Sequence, residues 1–94
     1  MKKFGIQLTY SAAEDLDNIP KNHHRKIIAL VNKMFSDPFN PGVKIKKLKG
    51  FKSPIYRARS GDYRILYRVE EDIVTIMRVI DRKDLDRIIK RLKL

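Results

Sequence analysis

Residues 55–80 read IYRARSGDYRILYRVEEDIVTIMRVI, and their alternation decides the fold. Three strand-like runs, near 55–60, 62–70 and 73–80, are separated by a Ser-Gly-Asp turn and by the acidic Glu70-Glu71-Asp72. Parity places Arg57 and Arg59 on one face of the first run, with Tyr56 and Ala58 on the other. In the second run Arg64, Leu66 and Arg68 share a face, while Tyr63, Ile65, Tyr67 and Val69 share its opposite. A two-residue loop, Ser60-Gly61 or Gly61-Asp62, projects both arginine sets the same way. With Ser60-Gly61 as the loop, Arg57 lies across from Arg64. The sequence thus predicts a sheet that is Tyr-lined toward its helices and studded with guanidinium groups outward.

Such a sheet breaks a local rule. Like charges directly opposed on neighbouring strands destabilise by up to about 1 kcal/mol per pair. Burying each of Tyr56, Ile65, Tyr67 and Val69 contributes roughly 1.5–3 kcal/mol, so packing wins and the repulsion is tolerated. Charge on a strand can serve only to keep an edge from aggregating. Lysine is the usual residue for that, whereas the flat fork of arginine grips phosphate bidentately. The arginine face reads as an anion site. Lys44, Lys46, Lys47, Lys49 and Lys52 precede the hairpin, and Arg78 and Arg82 follow it. A single-stranded polyanion held at several of these would bind with steep salt dependence, each phosphate adding a log–log slope of about −0.7.

Working outward, Phe4, Ile6 and Leu8 alternate with Gly5, Gln7 and Thr9 as an opening strand. Ser11-Ala-Ala-Glu14 has the spacing of a capping box and starts a short helix through Leu16. Pro20 suits the first turn of a second helix, along which Ile27, Ile28, Val31, Met34 and Phe35 form one apolar stripe. Asp37-Pro38 ends it. Residues 38–50, PFNPGVKIKKLKG, read as a Lys-rich loop punctuated by Pro38, Pro41, Gly42 and Gly50. After the last strand, DRKDLDRIIKRLKL is amphipathic: Leu85, Ile88, Ile89 and Leu92 recur at helical spacing, with Asp81 as N-cap. The order βααβββα describes an α+β fold, a small antiparallel sheet packed on one face by helices, in a single domain over residues 1–94.

Composition narrows the function. Lys and Arg number 22 against 11 acidic residues, and the resulting +11 attracts nucleic acid, an anionic membrane or an acidic protein. No stretch reaches transmembrane length, and no membrane partner is expected. The lack of cysteine excludes disulfides and thiolate metal sites and favours a cytoplasmic location. His23 and His24, adjacent on a helix, point about 100° apart and chelate one metal ion poorly. No P-loop, Rossmann glycine pattern or Ser/His/Asp arrangement is visible, so neither cofactor nor metal is expected. Tyr56, Tyr63 and Tyr67 have faces on which bases stack, but parity assigns them to the packed side. RIIKRLKL is short, and is expected to dock on the sheet or against a partner.

Three motifs together carry a family resemblance: Leu48-Lys49-Gly50, Tyr56-Arg57-x-Arg59 and Gly61-Asp62-Tyr63-Arg64-x-x-Tyr67. Followed by a strand and DRKDLDRIIKRL, they resemble the RelE/ParE superfamily of toxin–antitoxin toxins, on its RelE-like branch, over nearly the whole chain. RelE-type members are ribosome-dependent endoribonucleases that cut mRNA in the A site, and ParE-type members poison DNA gyrase on the same fold. A small antitoxin neutralises both, so the resemblance implies a RelB-like antitoxin, with ribosome and mRNA as further partners. It also implies that Arg57 and Arg59 lie against the scissile phosphate, that Arg64 stabilises the transition state, and that Arg82 is the arginine opening the last segment. Lys44, Lys46, Lys47, Lys49, Lys52, Arg68 and Arg78 would then contact RNA or ribosome.

One departure stands out. RelE-type enzymes often carry a tyrosine a few residues after that late arginine, and related toxins a histidine just before it. Here those places fall on Asp86 and Asp81. The usual base for the ribose 2′-OH is missing, and arginine, protonated at physiological pH, is a poor substitute. That leaves Asp81, Asp84 or Asp86, or orientation by ribosome and message alone. The alternatives are a gyrase inhibitor without nuclease activity and a weakened homologue that only binds its antitoxin.

Overall fold

The computed structural model describes residues 4–40 and 42–93 and, of Phe35, the backbone alone. The Phe35 side chain of the expected stripe and Pro41 of the expected loop lie outside the described residues. The chain runs β1 (Gly5–Leu8), α1 (Tyr10–Asn18), α2 (Lys21–Ser36), β2 (Ile45–Leu48), β3 (Ile55–Ser60), β4 (Tyr63–Glu70), β5 (Ile73–Asp81), a 3-10 turn (Arg82–Asp84) and α3 (Leu85–Leu92). One five-stranded sheet results, in the order β1-β5-β4-β3-β2. Two features depart from the sequence reading. The Lys-rich segment is not all loop, because Ile45–Leu48 pairs with β3 as an edge strand. The sheet is mixed, because β1 lies parallel to β5.

The helices flank both faces of the sheet. Ala58, Ile65 and Tyr67 pack with Val74, Ile76 and Val79 against Ile27, Leu30 and Met34 of α2 and Ala12 of α1. Ile55, Leu66 and Ile80 form a second cluster with Ile88, joined by Leu48, Leu85 and Leu92. By alternation this second cluster shares the arginine face, so that face is not left bare as expected. Leu66, sitting between Arg64 and Arg68, marks the place where α3 lands. Tyr56, Tyr63 and Tyr67 lie on the packed side, as parity predicts, Tyr67 within the core and the other two half-buried against it. Tyr67 is fully buried and its hydroxyl donates to Pro38 O at 2.6 Å, while burial first, then Tyr56 and Asp37, push its phenol above the ordinary value. Tyr56 bridges Tyr67 and Phe39 by ring contacts at 5.7 and 5.0 Å, and Tyr63 meets His23 at 5.1 Å.

Local signals at the helix ends shift by a residue or two. Thr9, not Ser11, caps α1: its hydroxyl accepts from Ala12 N at 3.1 Å and donates to Met77 O at 2.8 Å. Thr9 therefore starts the helix and ties it to β5 at once. Asp15 of the same helix accepts from Val79 N at 2.9 Å, taking over the β5 edge where β1 ends. Between these two anchors β5 carries one extra residue: Leu66 faces Arg78 but Tyr67 faces Ile76, which leaves Met77 as a bulge. The bulge turns Val79 toward α1 and α2 and Ile80 toward α3.

Candidate nucleic-acid interface

The β3–β4 register brings the arginines together. The loop is Gly61-Asp62, so Arg59 faces Arg64 and Arg57 faces Leu66, one pair further along than a Ser60-Gly61 loop would place them. Gly61 has φ +57, the left-handed conformation such a two-residue loop requires. Parity is unaffected, and Arg57, Arg59 and Arg64 project from the same face. On the neighbouring strand Lys46 is the register partner of Arg57, and Arg59 N donates to Lys44 O at 3.0 Å, so alternation sets Lys44 and Lys46 on this face as well. Arg82 arrives from the far side of the sheet: its backbone N–H donates to Asp62 O at 2.8 Å, which pins the start of the last segment to the β3–β4 turn.

Arg64 is the centre of the group. It is 9% exposed, and among the described residues it is the one charged side chain in the buried class. Its Nη1 donates to Gly61 O at 2.9 Å and Tyr63 O at 3.0 Å, so the hairpin turn holds the guanidinium in place. Burial first, then the guanidiniums of Arg59, Arg57 and Arg82, hold Arg64 below the ordinary arginine value, with Asp62 partly offsetting them. Arg59, Arg57 and Arg82 thus all bear electrostatically on Arg64, and the register sets Arg59 directly opposite it. Among the described residues no carboxylate forms an ion pair with Arg57, Arg59 or Arg64. Arg57 Nε is buried there without a hydrogen-bond partner. A fixed positive group of this kind is short of one thing, an anion with several oxygens.

The carboxylates sort themselves by register. Asp81 lies opposite Tyr63 and so on the α1 and α2 face, where it accepts from Lys83 N at 3.0 Å as the cap of the 3-10 turn. Asp84 pairs with Arg87 at 3.4 Å, and Asp86 is exposed in the first turn of α3. The carboxylate that touches the cluster is Asp62, a residue of the β3–β4 turn that is not among the site residues expected from the sequence. Its Oδ1 stands 3.7 Å from Arg82 Nε, and it acts electrostatically on Arg64. Its place within Gly61-Asp62-Tyr63-Arg64, two residues from the central arginine across a tight turn, was the available signal.

Other basic residues are placed apart from the group. Arg78 is held by Asp15 through Nε at 2.7 Å and Nη2 at 2.9 Å at the outer edge of β5, and this hydrogen-bonded pair raises its pKa. Arg68 is engaged by Glu70. Both guanidiniums thus have a carboxylate inside the chain, although Arg68 Nε, like Arg57 Nε, is buried without a hydrogen-bond partner of its own. Lys47 faces the opposite side with Tyr56, while Lys49 and Lys52 are exposed in the β2–β3 connection. Among the described residues no group of three or more His, Asp or Glu side chains is arranged to hold a metal ion.

Comparison with known proteins places the fold in a family. The family model described as ParE toxin of type II toxin-antitoxin system, parDE, matches residues 6–86. The toxin RelE1 of Methanocaldococcus jannaschii is 32% identical over 85 residues, which cover 87% of this chain and 92% of that protein. The archaeal RelE–RelB complex from Pyrococcus horikoshii OT3 superimposes with a TM-score of 0.74 at 25% identity, covering 85% of this chain and 96% of that one. The RelB–RelE complex of Methanococcus jannaschii gives 0.74 at 28% identity, covering 87% and 96%. YafQ in the E. coli DinJ–YafQ complex shares the fold at a TM-score of 0.73 and 19% identity, over 88% of this chain and 97% of that one. The chain belongs to the RelE/ParE superfamily of toxins of type II toxin–antitoxin systems, on its RelE-like side.

Proposed function

We propose that this toxin is an endoribonuclease that cuts mRNA on the ribosome and so inhibits translation in the cytoplasm. The observation that carries the proposal is Arg64: buried, held by two backbone carbonyls, directly opposite Arg59 and under the charge of Arg57 and Arg82, and, among the described residues, without a carboxylate ion pair. Such a cluster suits a phosphodiester whose charge grows along the reaction. The 2′-oxygen attacks the adjacent phosphorus, the bond from phosphorus to the 5′-oxygen breaks, and a 2′,3′-cyclic phosphate remains. Arg59 and Arg64 meet the non-bridging oxygens where charge builds, and preorganised donors of this sort supply a large share of a barrier reduction. Arg57 and Lys46 hold the strand beside them. The 2′-OH proton goes to Asp62, and the departing 5′-oxygen takes one from water.

An antitoxin partner follows from the same surface. The two archaeal relatives were solved as complexes with RelB. A RelB-like protein with acidic side chains meeting Arg57, Arg59 and Arg64 would neutralise both the charge and the site. The ParE description of the matching family keeps gyrase inhibition as the second reading. Mapping the 5′ ends of messages on translating ribosomes, with purified toxin added, tests the first reading. New ends inside codons support it. Intact messages together with blocked DNA supercoiling by gyrase would overturn it in favour of the second.

A further inference from the structure

Beside the arginine cluster, β2 and α3 enclose a groove of about 340 Å³ lined by Lys46, Lys47, Leu48, Lys49, Ile89 and Lys93. Leu48 and Ile89 make its lining mainly apolar, and Lys46, Lys49 and Lys93 bring charge to it, whereas the Lys47 side chain turns to the opposite face. Among the described residues none of those lysines has a carboxylate partner. Lys93 is placed over the groove by design of the backbone around it. Its ammonium lies 5.8 Å from the centre of the Phe51 ring, and a Cβ added to Gly50, whose φ is +89, would stand 3.1 Å from Lys93 Nζ. Glycine there leaves the room that Lys93 occupies.

We infer that this groove seats the nucleotide adjoining the scissile phosphate, its base on Leu48 and Ile89 and its flanking phosphates on the lysines. The inference rests on the phosphate-binding reading above and names a subsite of the same site. Continuity argues for it, because Lys46 is both a wall of the groove and the register partner of Arg57. The groove therefore begins one strand away, about 5 Å, from the cluster, a step that the next unit of an RNA strand can span. Shape argues for a single planar group. An amphipathic helix needs a row of apolar anchors over two turns, and this floor offers two side chains. Edge protection accounts for lysines on β2 but not for an apolar floor between them.

The test uses the full chain and RNA oligonucleotides made uncleavable by a 2′-deoxy residue at the scissile nucleotide. One abasic position is walked along both sides of the cleavage point, and binding is read by fluorescence anisotropy at several salt concentrations. The expected result is a loss of roughly tenfold at one adjoining position only, the affinity that burying a base face carries. Ile89→Ser should erase that sensitivity, and Lys93→Ala should flatten the log–log salt slope by about 0.7. The lysine variant guards against Ile89→Ser loosening α3. Binding that Arg64→Ala abolishes but that ignores every abasic position would overturn the groove and leave the anion site standing. Absence of any Arg64-dependent binding would overturn both. A hydrophobic, Asp/Glu-rich peptide that needs Lys93, in place of any abasic effect, would give the groove to a protein and overturn the inference.

Discussion

Arg64→Ala separates the fold from the chemistry, because the structure makes the two effects very different in size. The substitution removes two hydrogen bonds, to Gly61 O and Tyr63 O, worth about 1–3 kcal/mol together. It also removes a like charge directly opposite Arg59, which returns up to about 1 kcal/mol. The net loss is roughly 0–3 kcal/mol, a fall in Tm of at most about 24 °C for a domain of this size. The rate should fall about 10²–10³-fold, as it does when one donor to a developing oxyanion is lost. Arg64→Lys should fall nearly as far, since one ammonium cannot hold the turn and grip the phosphate together. Circular dichroism melts and message cleavage on translating ribosomes measure the two quantities. A linked measurement needs no turnover: an uncleavable oligonucleotide at 100 times its Kd should stabilise the wild type by about 2.7 kcal/mol and the alanine variant hardly at all. A folded Arg64→Ala protein that cleaves at the wild-type rate would refute the reasoning.

Three further outcomes are expected. Asp62→Asn should slow cleavage by about 10²-fold or more while leaving oligonucleotide affinity undiminished, whereas Asp81→Ala should leave the rate alone and cost about 1 kcal/mol as a lost cap, both read by the same ribosome assay and melts. Asp15→Ala should destabilise by about 2–4 kcal/mol in urea titrations, since it frees Arg78 and leaves Val79 N unpaired at a half-buried edge. Arg78 is shifted upward, so its share of stability is present below the unfolded value and lost only as pH rises through the folded one; urea midpoints should show no Arg78 step between about pH 5 and 10. Glu71 carries φ +53 in the turn between β4 and β5, and Glu71→Gly should raise the unfolding free energy read from urea titrations by about 0.5 kcal/mol, the strain relieved less the added chain entropy.

Alternation alone made the arginine face legible, because a period-two pattern survives any two-residue loop, and it made the buried tyrosines legible for the same reason. Where α3 lands was half legible: Leu66, an apolar residue between two arginines, needed cover on that face, and the amphipathic stripe of Leu85, Ile88 and Leu92 supplies much of it. The bulge at Met77 was not legible. It depends on Thr9 and Asp15 reaching Met77 O and Val79 N, partners 68 and 64 residues away in the chain. Its consequence reaches the chemistry. Strict alternation from Ile76, which packs toward α1 and α2, would put Asp81 on the face of the arginines. One extra residue reverses that parity, turns Asp81 to the opposite face to cap the 3-10 turn, and leaves Asp62 as the carboxylate beside Arg64 and Arg82. Which of the two aspartates stands near the arginines is thus set at the edge of β5, by the Thr9 hydroxyl and the Asp15 carboxylate, and the proposed role of Asp62 as proton acceptor depends on that placement.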